Sequence, residues 1–328
     1  MNAKGIAETP ENNFTAGKMQ NAKGIDELRG PLLIGGICML AGFVAACFAV
    51  VQTVSTRGAL LQAQLSANDP TLHAEELRVA TLDYHGACLS ALICGIAAVA
   101  YSVMSRLRAR LRDAVHIESV TETFAPDAAG VNLDALKQAI LRRTTQLSDD
   151  AANVNRLVVG MRHVDWALTL PLLAIEVFLL LRHPHPLERD VRSQMWGAAA
   201  LAFFCIVFGY MAHPLSVWAT KERSKRSNHC YFALACASFV GMYLLLFLDI
   251  NKALDLYKAP FSATEHKWLA GTLFAALWLF YPFVAFYNQF CKSGAADDPD
   301  PYVERIYAVL DVVSKAGLAL FHLWYGLP

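Results

Sequence analysis

Seven long apolar runs, separated by polar segments, dominate the sequence. At a rise of about 1.5 Å per residue, each run is long enough for one helix to cross about 30 Å of hydrocarbon. The pattern predicts an all-α membrane protein, a seven-transmembrane helix bundle. The predicted spans are residues 32–54, 86–104, 157–181, 195–212, 230–248, 268–290 and 306–327.

The polar segments suggest how the chain is organised. Residues 1–31 form a polar N-terminal segment, and residues 32–327 form one seven-helix domain. Two connections, 55–85 and 105–156, are long enough to count as inserts. Within the second, the apolar spacing of residues 132–141 predicts a short amphipathic helix that is too polar to span.

Composition narrows the function classes. Hydrophobic residues make up 55% of the chain, and the 28 Lys and Arg balance the 28 Asp and Glu. A chain without net charge gives no electrostatic reason to expect a nucleic-acid partner. No metal site is predicted either, because the cysteines form no CxxC pair and His183 and His185 lie in a proline-interrupted segment without zinc spacing.

Ionisable residues within the spans are very unevenly distributed. The central stretches of spans one, two, four, five and six contain no Asp, Glu, Lys or Arg. Such residues are expensive in a membrane and mark functional sites. The sequence therefore places the chemistry between the third and seventh spans, which hold Arg162, His163, Asp165 and Glu176, and Asp311, Lys315 and His322 respectively.

Helical spacing groups these side chains. Asp311 and Lys315 are four residues apart and share one face of the seventh span. A lysine there is justified by an ion pair or by covalent use of its amine as a Schiff base. On the third span, Asp165 and Glu176 point the same way, roughly 16 Å apart along the axis, and Thr169 lies one turn from Asp165.

Two interpretations of these residues remain open. One is a structural ion cluster in which Arg162 and Lys315 balance Asp165 and Asp311. The other is a proton relay, which is favoured by Glu176 because the spacing offers that carboxyl no partner. Burial of an unpaired carboxyl favours its neutral, proton-carrying form.

Four motifs resemble those of microbial (type 1) rhodopsins, especially the proteorhodopsin-like and xanthorhodopsin-like proton pumps. Residues 161–173 read MRHVDWALTLPLL, similar to the R-Y-x-D-W-x-x-T-x-P-L of the third helix in that family. Residues 278–282 are similar to its W-x-x-Y-P, residues 311–315 to its D-x-x-x-K, and residues 208–211 (FGYM) resemble proteorhodopsins. The resemblance covers about residues 32–327.

The resemblance implies a role for each matching residue. Lys315 is implied as the Schiff-base attachment site of all-trans retinal, Asp165 as counterion and proton acceptor, and Asp311 as second counterion. Arg162 is implied as the gate residue. Asp165, Thr169 and Glu176 match the D-T-E set of proton pumps, with Glu176 as proton donor. The implied retinal-binding residues also include Trp166, Leu173, Trp278, Tyr281 and Pro282.

The resemblance also implies a function and a setting. The chain is expected to be a light-driven outward proton pump rather than an enzyme, a multi-pass protein of the plasma membrane, and a homo-oligomer of five or six copies in the lipid bilayer. It leaves open whether a carotenoid antenna binds. The alternatives are a light-gated ion channel, a photosensory rhodopsin and, outside the family, a transporter with a structural ion cluster.

Orientation in the membrane is a separate question. Family topology puts the amino terminus outside, but the positive-inside rule disagrees, because the basic clusters at residues 106–112 and 221–226 would then face outward. An inverted insertion would make the same chemistry an inward pump.

Two positions differ from the family motifs, and a third, Glu304, lies outside them. His163 replaces the usual tyrosine, and residues 100–102 (Ala-Tyr-Ser) stand where many proteorhodopsins have a histidine that partners the counterion. His163 is either a substitute partner for Asp165 or a histidine without a proton role. Glu304 belongs either to a proton-exit network or to a solvated loop.

Overall fold

The structure is a computed structural model and describes residues 10–66, 74–123, 133–182, 188–216, 225–256, 265–287 and 301–325. All of its regular elements in these ranges are helices. They are α1 (Pro10–Ser66), α2 (Ala74–Thr123), α3 (Leu133–Arg182), α4 (Arg189–Ala212), α5 (Lys225–Leu256), α6 (Glu265–Trp278), α7 (Phe280–Phe286), α8 (Pro301–Asp311), a π-helical turn (Val312–Ala316) and α9 (Gly317–Tyr325).

The seven predicted spans are confirmed. Seven stretches of these helices are long and apolar enough to cross a membrane. The sixth span combines α6 and α7, and the seventh combines α8, the π-helical turn and α9. The spans are Gly30–Gln64, Glu76–Leu111, Ala152–Leu181, Arg189–Ala212, Ser227–Lys252, Leu269–Phe286 and Tyr302–Trp324.

The first three helices extend well beyond the apolar runs. α1 continues to Ser66 and α2 begins at Ala74, so the predicted 55–85 connection is mostly helical. α2 continues to Thr123, and the amphipathic helix predicted at residues 132–141 is the beginning of α3 rather than a separate element. Residues such as Arg, Gln and Glu favour a helix although they are too polar for lipid, so the apolar run underestimates the helix length.

The outer surface of the bundle is apolar. Ile34, Val51 and Phe283 are 62%, 66% and 71% exposed. Large apolar side chains facing outward in this number are typical of contact with lipid. Tyr302 and Trp324, near the two ends of the seventh span, are also exposed, as expected of aromatic residues at the membrane interfaces.

Helix neighbours define the order of the bundle. α1 packs on α2, α2 on α3, α3 on α4 and α4 on α5, as helices joined by short connections do. The seventh span packs against α1 and α2. α3 also contacts α5 and α6, so the helix that carries most of the ionisable residues lies centrally.

A break divides the sixth span beside a proline. α6 ends at Trp278, and α7 begins at Phe280. Pro282 has no backbone N–H, and its ring clashes with the carbonyl group four residues earlier, which is that of Trp278. The N–H of Leu279 instead bonds to the carbonyl oxygen of Ala276 at 3.2 Å, which closes a tighter turn.

The seventh span contains a π-helical turn around its lysine. The turn covers Val312–Ala316, and the side chain of Lys315 is buried within it. Single π-helical turns within α-helices often mark functional sites. α1 approaches this turn closely at Gly42, where a Cβ atom would lie 3.0 Å from the Cα of Ala316.

Candidate functional site

A buried lysine and two buried carboxylates form the centre of the site. Nζ of Lys315 lies 2.6 Å from Oδ2 of Asp165 and 3.7 Å from Oδ1 of Asp311. All three side chains are at most 2% exposed. The predicted pairing of Asp311 with Lys315 along one helix face is present, and Asp165 on α3 makes the closer contact. Burial of these charges is tolerated because they compensate one another.

The two carboxylates differ in how they are held. Asp311 accepts hydrogen bonds from the hydroxyl of Tyr101 at 2.8 Å, the hydroxyl of Tyr281 at 2.7 Å and the indole N–H of Trp166 at 3.0 Å. Three donors stabilise its ionised form. In contrast, Oδ1 of Asp165 has no hydrogen-bond partner among the described residues. Of the two carboxylates, Asp165 therefore has the unengaged oxygen that a transferred proton needs.

Thr169 lies beside Asp165, as its spacing predicts. Its hydroxyl donates to the backbone carbonyl oxygen of Asp165 at 2.8 Å rather than to the carboxylate. The residue is fully buried, so this bond satisfies a hydroxyl group that has no access to water. Thr169 thus fixes the local helix geometry at Asp165.

Arg162 pairs with an acid that the ion-cluster interpretation left out. One of its terminal nitrogens, Nη1, lies 2.5 Å from Oε2 of Glu304 on α8. Its guanidinium also lies 5.8 Å from the ring centre of Trp166 and 5.7 Å from that of Tyr307. Glu304 is only 8% exposed, so its interpretation as a solvated loop acid is wrong. The expected four-residue cluster is thus divided: Arg162 pairs with Glu304, and Lys315 stays with Asp165 and Asp311.

Glu176 is not isolated, contrary to the expectation from spacing. The hydroxyl of Ser90 on α2 donates to its Oε1, and Nε2 of His322 on α9 lies 2.8 Å from the same oxygen. Both partners come from other helices, so spacing along α3 could not reveal them. The carboxyl group is fully buried and lies on α3, three turns from Asp165.

His163 has neighbours on the side of α4. Its Nδ1 lies 2.8 Å from the carbonyl oxygen of Val159, and its ring contacts those of Tyr210 and His213, at centroid distances of 4.9 and 5.7 Å. The resemblance expects a histidine at residues 100–102 of α2. Within that stretch, the hydroxyl of Tyr101 donates to Asp311. These contacts do not support the hypothesis that His163 partners Asp165.

A cavity next to Lys315 brings most of the predicted residues together. Its wall is largely aromatic and aliphatic, and Trp278 is fully buried in it with an indole N–H that lacks a partner among the described residues. A primary amine at an apolar cavity suits a long apolar aldehyde such as retinal, so the residues fit that group. The predicted residues along the cavity are Arg162, Trp166, Thr169, Leu173, Trp278, Tyr281, Pro282, Asp311 and Lys315.

Two further predicted residues lie outside the cavity wall. Asp165 contacts Lys315 directly, and Glu176 lies against α2 and α9. Sequence reasoning gave no role to Tyr101, Ser90 or Tyr307. For Tyr101 and Ser90, the available signal in the sequence was a polar side chain within an otherwise apolar span. His183 and His185 lie outside the described residues.

Comparisons with known proteins identify the family and the fold. The profile of the bacteriorhodopsin-like protein family matches residues 78–326, which is most of the chain. A thermophilic rhodopsin structure is similar at a TM-score of 0.55 and 16% identity, covering 93% of this chain and 94% of that one. At such low identity, the similarity shows the fold alone. A comparison with curated protein sequences gave no significant match.

Two other solved structures are more distant in shape. Xanthorhodopsin, described as a light-driven ion pump with dual chromophore, has a TM-score of 0.49 at 18% identity, covering 88% of this chain and 93% of that one. The proton-pumping rhodopsin AR2 of the marine alga Acetabularia acetabulum has a TM-score of 0.45 at 17% identity, covering 87% and 93%.

The family match, the seven-helix bundle and the buried lysine within its π-helical turn lead to one assignment. Members of this family carry a retinal chromophore and act as light-driven transporters or light sensors rather than enzymes. The chain belongs to the bacteriorhodopsin-like family and is a multi-pass, seven-helix microbial (type 1) rhodopsin.

Proposed function

We propose that the chain is a light-driven outward proton pump with all-trans retinal on Lys315. The observation that carries the proposal is a pair of carboxyl groups on α3 in unequal settings. Asp165 contacts the lysine at 2.6 Å, whereas Glu176 is fully buried three turns away. A proton can therefore leave Lys315 on one side and be replaced from the other.

Lys315 and Asp165 perform the first transfer. When bound to Lys315 as a Schiff base, retinal supplies light absorption and a change of shape that displaces the proton on Nζ. Oδ2 of Asp165 lies within hydrogen-bonding distance of Nζ, and its other oxygen has no partner among the described residues. Asp165 accepts the proton because that transfer removes two opposite charges from a medium of low dielectric constant.

Asp311 and Arg162 support this step without carrying the proton. Tyr101, Trp166 and Tyr281 all donate to Asp311, so both of its oxygens are already engaged. Arg162 pairs with Glu304 on the far side of Asp311 from Lys315, where the seventh span begins. This pair provides the next acceptor towards that end of the bundle.

Glu176 restores the proton on Lys315. We assign Glu176 as the carrier of this proton, since its carboxyl is fully buried and has no lysine or arginine partner among the described contacts. Transfer from Glu176 to Nζ resets the lysine, and Glu176 then takes up a proton from the side opposite Glu304.

We also propose in which membrane the chain lies and how it is oriented there. The chain lies in the plasma membrane with its amino terminus outside, so the Arg162–Glu304 end faces outward and the Glu176 end faces the cytoplasm. The basic clusters at residues 106–112 and 221–226 speak for the inverted orientation, which would make the transport inward. The direction of transport in intact cells decides between the two.

We also propose a ring of five or six copies. The outer faces of the helices present many exposed apolar side chains, which can contact lipid or a second copy equally well. Chemical cross-linking in native membranes, resolved by size, checks this proposal. A ladder that ends at five or six copies supports it, and a protein that remains a monomer contradicts it.

Current measurements separate a pump from a channel. The protein is expressed in a cell whose membrane voltage is clamped, and light-induced current is recorded with retinal present. A pump drives outward current at every voltage within the physiological range, whereas the current of a light-gated channel reverses sign with the driving force. A retinal-bound protein without current would instead be a photosensory rhodopsin.

A further inference from the structure

Glu176 on α3 and His322 on α9 form a buried pair, and His322 has no role in the proton transfers described so far. Nε2 of His322 lies 2.8 Å from Oε1 of Glu176, within ion-pairing distance but not aligned for a hydrogen bond, and the hydroxyl of Ser90 donates to the same oxygen. The other oxygen, Oε2, is buried and has no hydrogen-bond partner among the described residues. One oxygen of the carboxyl group is thus engaged by α2 and α9, and the other is available to release a proton.

The bundle has a specific space for the histidine ring. At Gly86 on α2, a Cβ atom would lie 2.6 Å from Cε1 of His322 and 3.2 Å from its Nε2. No side chain fits at such a distance, so the absence of one at Gly86 lets the ring lie against α2. This contact holds the imidazole next to Glu176.

His322 lies closer to the end of its helix than Glu176, which is six residues before the end of α3. It is seven residues beyond Lys315, roughly 10 Å along the helix axis, and three residues before the end of α9. It is 8% exposed, whereas Glu176 is fully buried. Of the two side chains, His322 is therefore the one with exposed surface at which a proton can bind.

We propose that His322 is the proton-uptake residue that reloads Glu176. After Glu176 has given its proton to Lys315, the Nε2–H bond of His322 breaks and an O–H bond forms at Oε1 of Glu176. Nδ1 of the same ring binds a proton from the aqueous medium, so the net charge of the ring is unchanged. The starting tautomer returns by proton exchange with the medium. Histidine suits this role because both ring nitrogens can bind a proton near neutral pH.

This inference rests on the proposed pump, and its first test separates two steps of the cycle. In His322→Gln, the proton should still return to Lys315 at close to the wild-type rate after a single flash, because Glu176 already carries a proton before the flash. Proton uptake from the medium, followed with a pH-indicator dye, should slow on the order of a hundredfold. His229→Gln, at an exposed position early in α5, is the matched control and should leave uptake unchanged.

A second variant acts on the same ring from another helix. Gly86→Ala should displace His322 and slow uptake in the same direction, although the histidine itself is intact. Gly95→Ala is its control on α2, since a Cβ atom there meets only the ring of Phe43, at 3.3 Å. Partial recovery of uptake in His322→Ala on addition of imidazole would show that the ring transfers protons rather than only packing.

A measurement in the dark tests the pair without any transport. The ¹⁵N NMR signals of His322 should shift on Glu176→Gln, while those of His229 should not. Unchanged His322 signals, or normal uptake in His322→Gln beside a pumping wild type, would overturn the assignment of His322. A wild-type protein that moves no protons in light would overturn the proposed function itself, and the NMR result would still decide whether the two side chains share a proton.

Discussion

Three pairs of side chains connect α3 with the seventh span at successive depths. The first is Arg162 with Glu304, the second is Asp165 with Lys315, and the third is Glu176 with His322. The middle pair contains the reactive amine, and each outer pair lies towards one end of the bundle. Ionisable groups in this order are what the proposed pump requires for separate exit and entry sides.

Because Asp165 and Asp311 have different surroundings, we expect different effects when each is replaced by asparagine. In Asp165→Asn, light should no longer produce the short-wavelength absorption of an unprotonated Lys315 nitrogen, because the nearest acceptor is gone. The resting absorption band should move to longer wavelength, since the ground-state cation loses its closest negative charge. Flash spectroscopy and a resting spectrum measure both effects.

Asp311→Asn is the comparison for that experiment. Tyr101, Trp166 and Tyr281 already hold Asp311, so the amide removes a supporting charge but leaves the acceptor in place. The short-wavelength species should still form. If it formed in Asp165→Asn and disappeared in Asp311→Asn, the roles given to the two carboxylates would be reversed.

A second residue-level prediction concerns the donor. Glu176→Gln should slow the return of the proton to Lys315 on the order of a hundredfold, because the amide has no proton to donate. The resting absorption band should stay in place. Glu188→Gln, at an exposed acid next to α4, is the control, and an equal slowing there would contradict a specific role for Glu176.

Sequence spacing identified residues on one helix better than partners on different helices. Asp311 and Lys315 are one turn apart, so their pairing follows from helical geometry alone. The partners of Glu176 and Arg162 depend on how α2, α3 and the seventh span are packed. No spacing within one helix contains that information, which is why Ser90, His322 and Glu304 were missed or misplaced.

At the scale of the elements, close helix contacts position the lysine. α1 meets the π-helical turn at Gly42, where a Cβ atom would lie 3.0 Å from Cα and Cβ of Ala316 and 3.2 Å from Sγ of Cys94. A glycine at this place lets α1 approach the backbone of the turn. The site thus depends on a helix that contributes none of its charged side chains.

Gly42→Val should therefore destabilise the protein by about 1–3 kcal/mol, because the added atoms force α1 away from the turn. The temperature at which half of the visible absorption is lost measures the effect. Gly58→Val is the control on the same helix, since a Cβ atom there meets nothing within 4 Å. Equal loss of stability in both variants would show that valine in α1, not the contact with Ala316, is responsible.

The apolar pattern predicted the elements in number and order but not in length. Hydropathy follows lipid contact, so it detects the part of each helix within the membrane. Helix formation needs only backbone hydrogen bonds and suitable residues, and it continues in α2 to Thr123. The break beside Pro282 is readable from the sequence, but the π-helical turn around Lys315 has no such local signal.

At the scale of the whole molecule, the bundle combines an apolar exterior with a charged interior. Large exposed hydrophobic side chains cover the spans, while the ionisable residues between α3 and the seventh span are buried. This inverts the usual distribution in soluble proteins and follows from the cost of charge in lipid. The proposed pump would therefore move its proton through the interior, between the Glu304 end and the His322 end.

The central claim is net outward movement of protons, and the light-induced pH change of retinal-fed cells expressing the chain tests it most directly. We expect the medium to become acidic in light, and a protonophore should abolish the change. Lys315→Ala is the control, because it removes the retinal attachment site and should show no response. Alkalinisation of the medium, or coloured cells without any pH change, would contradict the outward pump.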